Sequence, residues 1–369
     1  MRILELIPNL ASGGAERFVT DLSNELALEG NDVSIFTFRA AHNLNFYKDE
    51  LLPQVCLKEY SGSWSLISKL FQFFVVLSYV RQFKPEVIHC HTLAFPYALF
   101  VSFFYRNIKY YYTVHNLAEN DTSLGVGAKI RRFFLKKRIA PITISNECAH
   151  SFTNFYGYNS FCTIENGCRS LQPSSLFDCV KNEIESYKKT KNTKVFINIA
   201  RISKQKNQKM LIDAFNLFSS IDKDSVLFII GHKFDAWNDI KKMIETSDNI
   251  FYLGEKHNVG DYLLCSDFFC LSSLWEGLPI SLLEAGNLGV CPICTPVGGI
   301  KDVICDSRFG ILSHDTSLSS YLEAIKLAVN KSMNKHELMK CYTGRYSMKI
   351  CAKKYLSLFL NDESNTSSM

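Results

Sequence analysis

No stretch of this 369-residue chain holds ~18 uninterrupted apolar residues, so a membrane-spanning helix is not expected. The nearest candidate, residues 64–83, is interrupted by Lys69, Gln72, Ser78 and Arg81. It reads as a buried helix, with an interfacial one as the alternative. A secretory leader is not expected either, because the first apolar run stops at Pro8-Asn9. Net charge is small: 41 Lys and Arg oppose 36 Asp and Glu, an excess of +5. So small an excess argues against a dedicated nucleic-acid binder. The 13 cysteines lack the pairing of a disulfide framework, being odd in number and scattered from Cys56 to Cys351. One CxxC, Cys291 and Cys294, has no second to complete a zinc site. Buried, reduced thiols in a cytosolic protein are expected. Neither GxGxxG nor GxxxxGK[ST] occurs, which removes the dinucleotide fingerprint and the P-loop. What is present is an ordinary globular composition, 47% hydrophobic and 21% charged. It can bury a large core, and only Asp362–Met369 reads as a frayed tail.

Strand and helix patterns alternate along the chain. Residues 2–7, 32–38, 86–91, 110–115, 141–145 and 161–165 read as strands, with helices near 15–28 and 64–83. The alternation lapses around 171–192, a segment with Pro173, several serines and a lysine-rich end. It restarts with strands at 194–200, 225–231, 251–254, 267–271, 290–295 and 310–313, helices at 208–219 and 236–246, and a helical tail over 335–360. This is an α/β pattern of parallel sheets covered on both faces. Two domains are expected, 1–172 and 190–345, with a C-terminal helix at 346–361 packing back on the first. Ligands of such sheets bind beyond the carboxyl ends of the strands.

Several strand ends carry chemistry. Gly13-Gly14-Ala15-Glu16 lies between the first strand and helix, where glycines admit close approach and a helix start attracts anions. A tight βα turn is the alternative. His89 and His91 share one face of a strand, a spacing that could suggest a metal, yet no carboxylate or cysteine cluster completes a ligand set nearby, and polar residues at the ligand edge of a sheet are the better reading. His115, ending the next strand before Asn116, is the better functional candidate. Arg201 and Lys206 follow the first strand of the second domain and could neutralise a diphosphate, unless they form only a solvated basic loop. The most informative segment is Ser272–Ala285. Glu276 stands in a loop with Gly277 and Pro279, and Glu284 lies within the helix that follows. Two carboxylates beside a helix start suit sugar hydroxyls.

Together these residues resemble the retaining glycosyltransferases of family 4, of GT-B fold, with two Rossmann-like parallel-sheet domains facing across a cleft. The likeness runs from Gly13–Glu16 through Val87–His91, Thr113–His115, Asn166-Gly167, Arg201–Asn207, Gly231 and Glu276/Glu284 to Gly298-Gly299. It implies that Gly13 and Gly14 contact the donor diphosphate, and that Arg201 and Lys206 offset its charge. It implies that Glu276, Gly277, Leu278 and Pro279 hold the transferred sugar and a phosphate, and that Glu284 accepts from the ribose. His115 would approach the sugar, and Gly254 and Glu255 would lie along the base. It further implies no metal and no cofactor, a nucleotide-diphosphate sugar such as a UDP-sugar as co-substrate, and a saccharide acceptor, lipid-linked, in capsule, O-antigen or exopolysaccharide synthesis. Two departures touch local loops: Ala200 precedes Arg201 where glycine is common, and Pro292 is shifted by one residue.

Lys129, Arg131, Arg132, Lys136, Lys137 and Arg138 cluster with interleaved Ile130, Phe133 and Phe134. Such a helix could rest on the cytoplasmic face of an anionic membrane, or could be an ordinary solvated helix. A nucleotide-sugar epimerase of the same fold and a non-catalytic partner subunit are the alternative functions. The Glu276/Glu284 pair argues against the first. The intact set of Arg201, Lys206, Glu276 and Glu284 argues against the second.

Overall fold

The strands of this protein are apolar along most of their length instead of alternating, because helices cover both faces of each sheet. In β1 (Arg2–Ile7) every residue after Arg2 is buried. The computed structural model describes residues 1–38, 45–60, 66–121, 126–331 and 333–361. Trp64 and Ser65, expected to open the second helix, and the Asp362–Met369 tail lie outside them. The chain divides into two compact units: Met1–Cys168 with the chain from Met348 onward, and Arg169–Ser347.

In the first unit β1 is joined by β2 (Asp32–Thr37), β3 (Cys56–Glu59), β4 (Val87–His91), β5 (Lys109–Val114), β6 (Ala140–Thr143) and β7 (Cys162–Thr163). All pairings are parallel, in the order β3-β2-β1-β4-β5-β6-β7. One core fills the space between sheet and helices, with Leu4, Phe36, Ile88, Val101 and Tyr112 fully or almost fully buried. The helix Met348–Asn361 belongs to this unit. Its Tyr355 packs against Phe18 of the helix Gly14–Leu28, and its Phe359 carbonyl accepts from Lys109 Nζ at 2.9 Å.

The second unit holds β8 (Lys194–Ile199), β9 (Ser225–Ile230), β10 (Ile250–Gly254), β11 (Phe268–Leu271), β12 (Cys291–Cys294) and β13 (Ile311–Leu312). They too are parallel, in the order β10-β9-β8-β11-β12-β13. Phe196, Leu211, Phe215, Ile229 and Tyr321 centre its core.

Three segments differ from the sequence reading. The lapse at 171–192 contains a helix, Phe177–Tyr187, whose Val180 and Ile184 are buried. Phe177 and Tyr187, half-buried, extend the stripe at helical spacing, but the serine- and lysine-rich flanks hide it. The edge strand β3 was not expected; its outward residues are exposed and its apolar signal is weak. The helical tail is two helices, Lys335–Tyr346 and Met348–Asn361, because Ser347 is extended at φ −70°, ψ 145°.

Candidate active site

Strand order reverses between β1 and β4 in one sheet and between β8 and β11 in the other. Ligands of open parallel sheets bind at carboxyl ends beside such a switch point. The candidate residues fall on those ends. β1 leads to Gly13 and Gly14, β4 ends at His91, and His115 follows the neighbouring β5; Arg201 follows β8, and β11 leads into Ser272–Pro279.

In the second unit Arg201 is exposed, its guanidinium 4.5 Å from the centre of the Phe234 ring. It forms no ion pair among the described residues. Lys206 does: its Nζ donates to Oε1 of Glu276 at 2.5 Å. Ser273 Oγ donates to the same oxygen at 2.5 Å, while Oε2 takes no hydrogen bond from the described residues. Glu276 is only 5% exposed, so the ammonium and the hydroxyl compensate a carboxylate largely removed from water. The two loops are tied to each other. Leu274 N–H donates to the Gln205 carbonyl at 2.8 Å, Gln205 Nε2 to the Trp275 carbonyl at 2.9 Å, and Ser272 Oγ lies 3.0 Å from the carbonyls of Lys206 and Asn207. Gly298, at φ +52°, passes so near Glu276 that a Cβ there would overlap its carbonyl oxygen.

Gly277 accepts from Gly299 N–H at 2.8 Å, Leu278 is buried, and Pro279 immediately precedes the helix Ile280–Asn287. The first amides of that helix have no intrahelical acceptor. Glu284 is its fifth residue and is buried. Gly254 ends β10, where its carbonyl accepts from Gly231 N–H at 2.9 Å. Glu255 Oε2 lies 3.4 Å from His232 Nδ1. These two sit at the β10 edge, two strands from β8, whereas Lys206 and Glu276 are brought into direct contact.

In the first unit Gly13 caps the helix Gly14–Leu28, with the Glu16 carboxylate folded over it; Gly14 is exposed with nothing near its missing Cβ. The expectation that no carboxylate stands near His89 and His91 is corrected. Glu5 of β1 pairs in register with His89 and is fully buried. Its Oε2 is 2.8 Å from His91 Nε2 and 3.1 Å from His89 Nδ1. His89 Nε2 is 2.7 Å from Thr113 Oγ1, which is 3.1 Å from the Tyr355 hydroxyl. His91 Nδ1 is 2.9 Å from His115 Nε2. Sequence reasoning missed Glu5 because only strand pairing, 84 residues apart, reveals it. Burial opposes its ionisation, but the two imidazoles hold its pKa down at about 2. Ligand-type atoms of Glu5, His89 and His91 lie within 4.8 Å of one another. They are already bonded to one another, so a closed hydrogen-bond network fits them better than an ion site. One Asp-x-Asp, Asp222-Lys223-Asp224, also occurs. Asp222 pairs with Lys194 at 2.5 Å, and Asp224 accepts from the hydroxyls of Thr190 and Thr193.

The basic helix, Val126–Lys137, needs a second correction. Arg131 is buried, donating to the Tyr112 hydroxyl at 2.7 Å beside the rings of Phe95 and Tyr112. It braces the core and presents no surface charge. Arg138 is half-buried, donating to the Ser102 carbonyl at 2.9 Å. Lys129, Arg132, Lys136 and Lys137 are exposed. All 13 cysteines are free thiols. Burial pushes Cys291 up to about 12 and Cys294 well above its usual value, which suits neither a reactive pair nor a thiolate ligand.

Two Rossmann-like parallel sheets, each with polar residues at its switch point, make up the GT-B architecture. A structure of Anabaena HepE in complex with UDP and glucose superposes with a TM-score of 0.80, 14% identity, and coverage of 97% of this chain and 99% of that one. Residues 12–169 match the family described as Glycosyltransferase Family 4, and residues 180–343 match Glycosyl transferases group 1. The chain belongs to the family 4 glycosyltransferases. It is 28% identical over 151 residues, 39% of each chain, to an Escherichia coli UDP-Gal:alpha-D-GlcNAc-diphosphoundecaprenol alpha-1,3-galactosyltransferase. It is 25% identical, over 92% of each chain, to a Campylobacter jejuni alpha-1,4-N-acetyl-D-galactosaminyltransferase named for a diNAcBac-PP-undecaprenol-linked acceptor. No helix among the described residues is long and apolar enough to cross a membrane.

Proposed function

We propose that this glycosyltransferase moves a sugar from a UDP-sugar to a lipid-linked saccharide in bacterial envelope polysaccharide synthesis, such as capsule, O-antigen or exopolysaccharide, with retention at the anomeric carbon. The observation that carries the reading is Glu276. Its Oε1 accepts two hydrogen bonds while its Oε2 takes none from the described residues, so the acid is fixed in place and still able to accept from a sugar hydroxyl. Arg201, which no acid among the described residues neutralises, and the start of the helix Ile280–Asn287 supply positive potential for the departing diphosphate. Breaking the anomeric bond separates an oxocarbenium-like sugar from that diphosphate. Protein cations offsetting the charge make a metal unnecessary in this reading. Attack by the acceptor hydroxyl from the leaving-group face, with its proton passing to the departing diphosphate oxygen, would give retention without an enzyme nucleophile. Glu284 accepts from the ribose and His115 from the sugar. The relatives' undecaprenol-linked acceptors support the acceptor class.

The test is a screen of purified protein against UDP-, GDP- and other nucleotide sugars, by thermal shift and slow donor hydrolysis, with and without EDTA. One UDP-sugar should stabilise the protein and turn over, EDTA should change neither, and Glu284→Ala should abolish both. No response to any nucleotide sugar would move the balance to a non-catalytic partner subunit.

A further inference from the structure

We propose that Glu5 is a positioning residue: through His91 it holds His115 in the tautomer whose Nδ1 offers a lone pair to a hydroxyl of the bound sugar. The inference rests on the sugar-transfer reading for its substrate and on proton counting for its geometry. Glu5 is a carboxylate and can only accept, so the hydrogen in its 2.8 Å bond to His91 sits on His91 Nε2. His91 is neutral near pH 7, since burial and the neighbouring His89 push it down to about 4 despite the pull of Glu5. A neutral imidazole carries one N–H, so His91 Nδ1 is a bare acceptor. Its 2.9 Å partner, His115 Nε2, must therefore be the donor. Burial, with His91 and His89 beside it, also drives His115 well below its usual value. The one proton of His115 is then spent on His91. Its Nδ1 keeps a lone pair and has no hydrogen-bond partner among the described residues.

The other groups facing the network do not compete for these atoms. Thr113 takes the far nitrogen of His89, and Tyr355 bonds to Thr113. Phe18 packs edge-on against both His91 and His115, with ring centres 6.2 Å and 5.5 Å away, and restrains their planes. A sugar hydroxyl can donate its proton to the bare Nδ1. The opposite tautomer would make the same hydroxyl an acceptor and leave its proton to find another partner. The carboxylate acts two imidazoles away from the atom it governs.

Nitrogen-15 NMR of full-length, histidine-labelled protein at pH 7 reads the tautomer directly, whether or not any variant folds. The wild-type His115 should show the Nε2–H form alone. In Glu5→Gln, whose amide can donate as well as accept, both tautomers should appear. Turnover should fall about tenfold, as for the loss of one hydrogen bond, with affinity for UDP alone unchanged. A wild-type His115 protonated on Nδ1, or on both nitrogens, would overturn the proposal. So would a Glu5→Gln protein that keeps the pure Nε2–H form. An Nε2–H wild type that turns over no nucleotide sugar would instead sink the sugar-transfer reading and leave the relay standing.

Discussion

Arg201 and Lys206 carry the same charge in neighbouring positions, yet their environments assign them different consequences. Arg201 is exposed and lies on Phe234, so its removal leaves no buried charge behind. Arg201→Ala should raise the donor KM about ten- to a hundredfold, the value of a charge-assisted contact to diphosphate, with the melting temperature unchanged. Lys206 neutralises a carboxylate that is 5% exposed. Lys206→Met should cost on the order of 3 kcal/mol of stability as well as activity, and Lys206→Met with Glu276→Gln should recover most of that stability. Urea titration of the three proteins checks the ordering. The buried network contributes to acid stability. The unfolded chain protonates His91 near 6.5 and the folded one only near 4, so between these values the unfolded state binds more protons. Stability should fall as pH drops from 6.5 toward 4. Glu5, lowered from 4.5 to about 2, extends the loss below pH 4.5. A melting series from pH 8 to 4 should show the decline, and His91→Gln should make it shallower above pH 4.5, with His115, also held well below its usual value, supplying the remainder.

At the scale of elements, the candidate site depends on loops that only a glycine permits. Gly298→Ala places a Cβ against the Glu276 carbonyl in a left-handed conformation. The dihedral alone costs on the order of 1–3 kcal/mol. The variant should lose turnover more than an equally destabilising core substitution such as Leu211→Ala, a comparison that activity measured at matched stability will settle. The elements themselves were largely legible. β1 and the helix Gln208–Ser219 fall where the sequence pattern puts them, since each joins a run that is apolar apart from Glu5, or amphipathic, to clear flanking signals. The helix Phe177–Tyr187 was not, because flanks rich in serine and lysine hide the stripe of Phe177, Val180, Ile184 and Tyr187. Nor was the extended Ser347, a break with neither proline nor glycine to announce it.

At the scale of the molecule, the first unit carries an unusual surface. Phe71 and Phe74 on the helix Leu66–Phe83, Phe103 and Phe104 on the helix Phe95–Phe104, and Ile130 and Phe133 on the basic helix are all exposed. Their rings are linked through half-buried neighbours: Phe74 and Phe104 both meet Phe100, and Phe103 and Phe133 both meet Phe134. Lys137 and Arg138 lie over Phe133 and Phe103. Such a surface suits an anionic bilayer, where rings enter the interface and cations remain at the headgroups. We propose it as the membrane contact of the lipid-linked-acceptor reading. The wild type should sediment with vesicles containing anionic phospholipid. Replacing Lys129, Arg132, Lys136 and Lys137 with glutamine should weaken that by several-fold per charge, on the order of 1 kcal/mol each. Arg131→Gln should lower stability instead, because that guanidinium is inside. Equal sedimentation of wild type and the quadruple variant would end the membrane proposal.

Periodicity and turn chemistry are local properties of the chain, and they suffice for the α/β class, the two units and the strand-end placement of Arg201, Lys206 and Glu276. The sequence by itself placed Arg131 among the surface cations and His89 and His91 apart from any acid. Tertiary structure decided otherwise on both. Parallel strand pairing laid Glu5 beside His89 across 84 residues, and helix packing turned Arg131 inward onto Tyr112. Which face of a helix is buried, and which strands become neighbours, depends on the packing of distant segments, and no local run of residues records it.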